Sequence, residues 1–273
     1  MNADRLVPLE WPRWALMWTM AGAIYTGCKW LTWQRAAVHH VPAWKHAAYL
    51  LAWPGLDAKN FLEAGCPSRC RVREGLAAAG KLTLGATLLF GFARTIPPQH
   101  TYIVGWTGMI GIILILHFGL FHLLSCSWRS IGVAARRLMN RPWASTSLSE
   151  FWGRRWNTAF RDLTFRFLFR PCASWFGPRW GILAGFLFSG VIHDLVISVP
   201  AGGGYGGPTV FFALQGAGMM VERSALGRRM GLGSGWPGRL FAAAVLFTPV
   251  GLLFHRPFVI GIIVPFMRAL GAI

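Results

Sequence analysis

Residues 181–199, GILAGFLFSGVIHDLVISV, decide the fold class. Nineteen residues with a single formal charge are the length of a helix that crosses a bilayer, for which roughly 20 apolar residues suffice. The same run carries a histidine and an aspartate side by side, His193 and Asp194. An ionisable pair inside an apolar span is expensive, so it marks either a polar helix–helix contact or a functional site.

Working outward, six further apolar runs read the same way: 14–28, 76–93, 102–126, 209–221, 240–254 and 258–270. The last two are separated only by His255, Arg256 and Pro257, which predicts a tight helical hairpin. Charge placement tests this segmentation. Residues 29–73 hold seven Lys/Arg, 127–179 hold ten Arg and 222–239 hold four, whereas 95–101 and 200–208 hold none. Basic and neutral connections therefore alternate, as expected when basic loops stay on the cytoplasmic side. The expectation is an all-α, polytopic transmembrane bundle of about seven to nine spans plus interfacial or re-entrant helices, in one domain over residues 1–273.

The composition agrees: 54% hydrophobic, 13% charged, with 15 Trp and 20 Phe. A soluble domain carries about twice that charged fraction. The net charge of +18 would point to nucleic acid in a soluble chain. Here it sits between apolar runs, where topology and anionic headgroups explain it, and no nucleic-acid-binding signature accompanies it. Compact length and the lack of a eukaryotic retention signal lean toward a bacterial inner membrane. Asp4 and Glu10 argue against a signal peptide.

Two basic connections are too apolar for plain loops. Residues 43–56 (AWKHAAYLLAWPGL) predict a short interfacial or re-entrant helix. Residues 148–169 (LSEFWGRRWNTAFRDLTFRFLF) predict one basic amphipathic helix at the headgroup layer, opened by a Ser147/Glu150 capping box and ended by Pro171. The glycine-rich stretch 202–207 predicts a flexible outer loop. Cys28, Cys66, Cys70, Cys126 and Cys172 are odd in number and scattered, which predicts free thiols. Cys66 and Cys70 lack a second pair or a nearby histidine in the sequence, so no metal site is expected.

His193 is the first candidate for chemistry. A buried imidazole stays neutral and accepts a proton near pH 7, as a general base must. Ser189, four residues earlier, shares its face. A histidine hydrogen-bonded to a neighbouring helix is the equally open alternative. His117 and His122 lie five apart on one run and are read as packing residues. His39–His40 are followed by Lys45 where the paired-histidine motif of soluble acyltransferases has Asp, so that reading is rejected. FWGRRWN, residues 151–157, is the second candidate. Arg154 and Arg155 offer planar forks for phosphate. Trp152 and Trp156 offer surfaces for a base or an acyl chain, and Asn157 offers a neutral amide. An interfacial Trp/Arg anchor is the alternative.

Taken together, SLSEFWGRRWN and the SGVIHD histidine 36 residues after Asn157 resemble the membrane-bound O-acyltransferases, in particular the wax synthase branch. That branch shows a Phe-Trp-Gly-Arg-Arg-Trp-Asn motif and Ser-Gly-x-x-His followed by an acidic residue, for which Asp194 stands where Glu is more usual. WPGLDAKNFL (53–62) and QGAGMMVE (215–222) are similar to further stretches of the branch, with Gln215 in place of His. The resemblance implies a multi-helix fold with a tunnel, His193 as base, Asn157 as its partner near the thioester, and acyl-coenzyme A as co-substrate, for which Arg154 and Arg155 stand where phosphates would arrive and Trp152 and Trp156 where a base or acyl chain would lie. Ser189, Asp194 and Glu222 are expected to support the site or line its acceptor end. No metal and no tightly held cofactor is implied, and the acceptor is a lipophilic alcohol. The same fold acting on a sterol, diacylglycerol or glycan hydroxyl, a proton-relay transporter, and a non-enzymatic scaffold are the rivals. One tension follows from geometry: His193 is thirteenth from Gly181, roughly 18 Å into its span at about 1.5 Å per residue. Asn157 meets it only if the 151–157 stretch dips into the protein interior.

Overall fold

A computed structural model describes residues 11–38, 40–63 and 69–273, so His39, Cys66, Asp4 and Glu10 fall outside it. Every regular element among the described residues is helical. Four helices are long and apolar enough to cross a membrane: Val72–Thr95, Pro98–Ser130, Pro178–Ala201 and Gly235–Leu253. They contain four of the seven predicted runs. The other three runs are also helical, within Arg13–Ala36, Gly207–Arg223 and the segments from Arg256–Phe258 to Val264–Ala269, but do not meet that test of length and apolarity.

Glycines set how closely these helices approach. A Cβ on Gly85 would lie 2.7 Å from the Gly111 carbonyl oxygen, and one on Gly111 would lie 2.9 Å from that of Gly85. The Val72–Thr95 and Pro98–Ser130 helices therefore meet backbone to backbone, as membrane helices with small residues at the crossing do. Gly190 brings the His193 helix against Thr209 in the same way.

Three prolines sit inside helices by one device. Pro171, Pro200 and Pro265 each follow a wide π-type turn, Phe165–Phe169, Asp194–Ser198 and Val259–Ile263, by two residues. Such a turn displaces the carbonyl that the proline ring would otherwise strike. This corrects the expectation that Pro171 ends its helix. The chain stays helical to Phe176, and Gly177 (φ 90°) ends it. The predicted single helix over 148–169 is also corrected. It is broken between the wide turn Phe151–Arg155 and the helix from Thr158, with Asn157 at φ 37°, ψ 62°. Asparagine tolerates this left-handed conformation better than other non-glycine residues.

The basic connection 29–73 packs as a small subdomain. Its helix Ala43–Ala52 ends in extended backbone at Trp53. Lys29, 2% exposed, donates to the carbonyls of Trp53 and Gly55 and lies 3.4 Å over the Tyr49 ring, which fixes the segment to the first helix. Tyr49, Trp53, Phe61 and Leu62 form a core with Val133, Ala135 and Leu163. Cys70 and Cys126 form a disulfide, contrary to the expected free thiols. Their separation of 56 residues gives no hint that two helices bring them together.

The Gly85 crossing makes a direct test. Gly85→Leu is expected to destabilise by about 1–3 kcal/mol through overpacking against backbone, read as a lower Tm in detergent. Gly80→Leu, on the same helix with open space around it, leaves Tm unchanged.

Candidate active site

The FWGRRWN stretch begins where Ser147 caps a short helix. Its Oγ accepts from the Glu150 amide at 3.0 Å. The next amides of that first turn, Leu148 N and Ser149 N, donate to the Glu222 carboxylate at 2.6 and 3.2 Å. Glu222 is 4% exposed and comes from a different helix. A buried carboxylate at a helix N-terminus satisfies orphan amides and meets the positive end of the dipole. Glu150 does not complete the reciprocal bond of a capping box. It reaches one residue further, to Thr146 N at 2.7 Å and Thr146 Oγ1 at 3.0 Å, and pairs with Arg155 at 2.6 Å. Burial alone would raise the Glu150 carboxyl, but the Thr146 amide, Arg155 and the Thr146 hydroxyl outweigh it and hold it below the usual range.

Trp152 and Trp156 are fixed within the motif. Trp152 Nε1 donates to Gln215 Oε1 at 3.4 Å, and the fully buried Gln215 donates in turn to the Val245 carbonyl at 2.8 Å. Trp156 stacks on Phe151 with ring centroids 5.6 Å apart and 13° between planes, and on His117 at 6.3 Å. Asn157 turns the chain and caps the following helix, its Oδ1 accepting from Phe160 N at 3.3 Å.

Trp152, Trp156 and Asn157 line a chamber of about 590 Å³ together with Ser189, His193 and Phe212. The 151–157 stretch thus dips inward, and Asn157 and His193 border one space. His193 Nδ1 lies 2.6 Å from the Ser189 carbonyl oxygen. A carbonyl only accepts, so Nδ1 carries the proton and Nε2 carries the lone pair. Gly181, Gly185, Ser189 and His193 recur every four residues along one helix face, and all four line the chamber.

Asp194 turns away from His193. It accepts from Ser198 Oγ at 2.8 Å, Gly206 N at 2.9 Å and Thr209 N at 3.0 Å, and from the Thr209 hydroxyl. It pins the glycine-rich loop and the start of the Gly207–Arg223 helix. His255 joins this cluster. Its Nδ1 accepts from Phe258 N, which leaves Nε2 to donate to Ser198 Oγ at 3.1 Å.

The predicted phosphate arginines separate. Arg154 lines a second cavity of about 620 Å³ with Arg129, Arg136, Arg137 and Arg161. Arg161 and Asp162 border both cavities. Burial raises the Asp162 carboxyl, against the opposing pull of Arg161. Arg155 lines neither cavity and instead donates to Glu150 and to the carbonyls of Asn140 and Arg141. Glu222 is outside the chamber lining, at the helix it caps.

Residues 135–214, which hold both Asn157 and His193, match the membrane bound O-acyl transferase family. That match covers less than a third of the chain. It is 30% identical over 148 residues to probable long-chain-alcohol O-fatty-acyltransferase 9 of Arabidopsis thaliana, covering 48% of this chain and 42% of the relative. It is 32% identical over 74 residues to the long-chain-alcohol O-fatty-acyltransferase of Simmondsia chinensis, covering 24% and 21%. It is 38% identical over 64 residues to acyl-CoA–sterol O-acyltransferase 1 of Arabidopsis thaliana, covering 21% and 19%. The matches span about two-fifths of the length of the first of these relatives. The resemblance to wax synthases is thereby borne out, and the family match together with four helices long and apolar enough to cross a membrane fits a membrane protein.

Arg161, Ser198 and the capping role of Glu222 escaped the sequence reading. Gln215 was visible there only as the amide standing where the branch has histidine. Glu222→Ala is expected to lose about 2 kcal/mol, the scale of a helix cap made by a charged acceptor. Glu222→Gln, which keeps one acceptor oxygen, loses less. Thermal unfolding in detergent checks both.

Proposed function

We propose that this chain is an O-acyltransferase that moves a fatty acyl group from acyl-coenzyme A to the hydroxyl of a lipophilic acceptor, with a long-chain alcohol favoured. The observation that carries the reading is a proton-accepting His193 Nε2 and the Asn157 amide bordering one apolar chamber. His193 Nε2 removes the alcohol proton. The alkoxide attacks the thioester carbonyl, and the Asn157 Nδ2 hydrogens stabilise the oxyanion while Oδ1 stays engaged as a cap. The C–S bond then breaks, and the coenzyme A thiolate takes the proton back from the imidazolium.

Support for the donor comes from charge. Five arginines line the cavity next door, and Arg161 stands between it and the chamber. Trp152 and Trp156 form the chamber wall nearest the motif, where an acyl chain lies against rings. In this reading the chain is one multi-pass domain, its basic connections on the cytoplasmic side of a bacterial inner membrane, with the donor arriving from that side. A sterol acceptor is the second reading, favoured by the 38% identity to a relative named for sterol acylation.

Two variants test the roles in purified protein given labelled acyl-coenzyme A and hexadecanol or a sterol. His193→Ala is expected to lower ester formation roughly 100-fold or more. Asn157→Asp keeps the cap but removes the donors, so Tm holds while the rate falls about 100- to 1,000-fold. Near-wild-type activity in either variant removes that residue from the mechanism. A product with the sterol but none with hexadecanol overturns the choice of acceptor.

A further inference from the structure

Behind the arginine-lined cavity lies a cluster that acyl transfer does not use. Cys70, Cys126 and Glu74 place their sulfur and carboxylate ligand atoms within 4.8 Å of one another. Cys126 Sγ is 3.7 Å and His122 Nε2 is 3.2 Å from Glu74 Oε1. The Glu74 and His122 side chains are each 9% exposed, and Cys126 is buried. We propose that, with its cysteines reduced, this cluster is a zinc site built from Cys70, Cys126 and Glu74, with His122 as the fourth ligand.

Geometry, ligand chemistry and charge all favour it. Zinc bonds of about 2.0 Å to N or O and 2.3 Å to S give a tetrahedron with edges of roughly 3.3–3.8 Å. The Cys126 contact to Glu74 Oε1, at 3.7 Å, has that length, and the His122 contact, at 3.2 Å, is just under it. His122 Nε2, 3.2 Å from the same carboxylate oxygen, completes the set by a side-chain movement toward the sulfurs. Two thiolates, an imidazole and a carboxylate are the donors zinc takes. Glu74 also pairs with Arg129 at 2.6 Å and Arg137 at 2.5 Å, and Arg129 reaches its other oxygen at 3.2 Å. One carboxylate can bridge an ion and a guanidinium in this way, which orients the ligand. Zinc binding displaces one proton from each thiol, so the divalent ion adds no net charge beside the two arginines.

Zinc and the disulfide exclude each other. A dithiol reductant supplies two electrons and two protons to the Cys70–Cys126 bond, becomes a disulfide itself and leaves two thiols. Zn²⁺ then binds the two thiolates and releases both protons. Both cysteines border the basic connections, the side on which the cytosol keeps thiols reduced.

Cobalt(II) is the probe, used on the full chain in detergent. After dithiol reduction and removal of the reductant, one Co²⁺ per chain is expected, with thiolate-to-metal charge-transfer and tetrahedral d–d absorption. Zinc should displace it, and the oxidised protein should show none of it. Cys70→Ser and Cys126→Ser lose the charge-transfer band, and Glu74→Gln and His122→Ala bind at least tenfold more weakly. Because the cysteine variants could misfold, alkylation mapping of the wild type gives a second reading: cobalt should protect Cys70 and Cys126 and leave the labelling of Cys28 and Cys172 unchanged. No stoichiometric uptake by reduced wild type, or protection of other cysteines instead, overturns the proposal.

Discussion

The site depends on hydrogen bonds that one helix supplies to another. The short helix at Leu148 starts inside the protein, where no water is at hand to satisfy its first amides. An amide left unpaired in such surroundings costs several kcal/mol. Ser147 provides one acceptor and Glu222 provides the others, from 74 residues away. A polar, arginine-bearing segment is thereby held against an apolar bundle. Trp152, tied to Gln215, and Asn157, in its left-handed turn, take their places from that start.

The broken helix also separates two kinds of surroundings. On one side the chamber with His193 is walled by Trp152, Trp156, Phe186 and Phe212, suited to chains and rings. On the other, the cavity with Arg129, Arg136, Arg137 and Arg154 is suited to anions. Arg161 borders both and donates to the Gly153 carbonyl at 2.5 Å. The proposed reaction, which joins an acyl chain carried on a polyanion to a lipophilic hydroxyl, calls for such a pair of neighbouring spaces. Adjacent arginines diverge across the same boundary: Arg154 faces the arginine-lined cavity, while Arg155 is consumed holding Glu150 and the backbone at Asn140 and Arg141.

Helix content was legible because it rests on local information. Every apolar run read from the sequence is helical, and alternating charge marked the connections. The 36-residue link between Asn157 and His193 was legible only through resemblance, since spacing alone set the two about 18 Å apart in depth. What resolves that tension, an inward break at Asn157, requires a left-handed backbone that hydrophobic periodicity does not report. Pro171 reads as a helix end in the sequence because the wide turn that accommodates it is a backbone event without a residue signature. Long-range polar pairs were the least legible. Neither the Cys70–Cys126 bond nor Glu222 on Leu148 follows from any local pattern, and Asp194 spends its bonds on Ser198, Gly206 and Thr209 rather than at the chamber.

Cryo-electron microscopy of the chain with a non-hydrolysable thioether analogue of acyl-coenzyme A tests the shared chamber most directly. The thioether sulfur and adjoining carbon are expected between the His193 imidazole and the Asn157 carboxamide, with the phosphates toward Arg154. An analogue seated where only one of those two side chains touches it, or neither, would contradict the assignment.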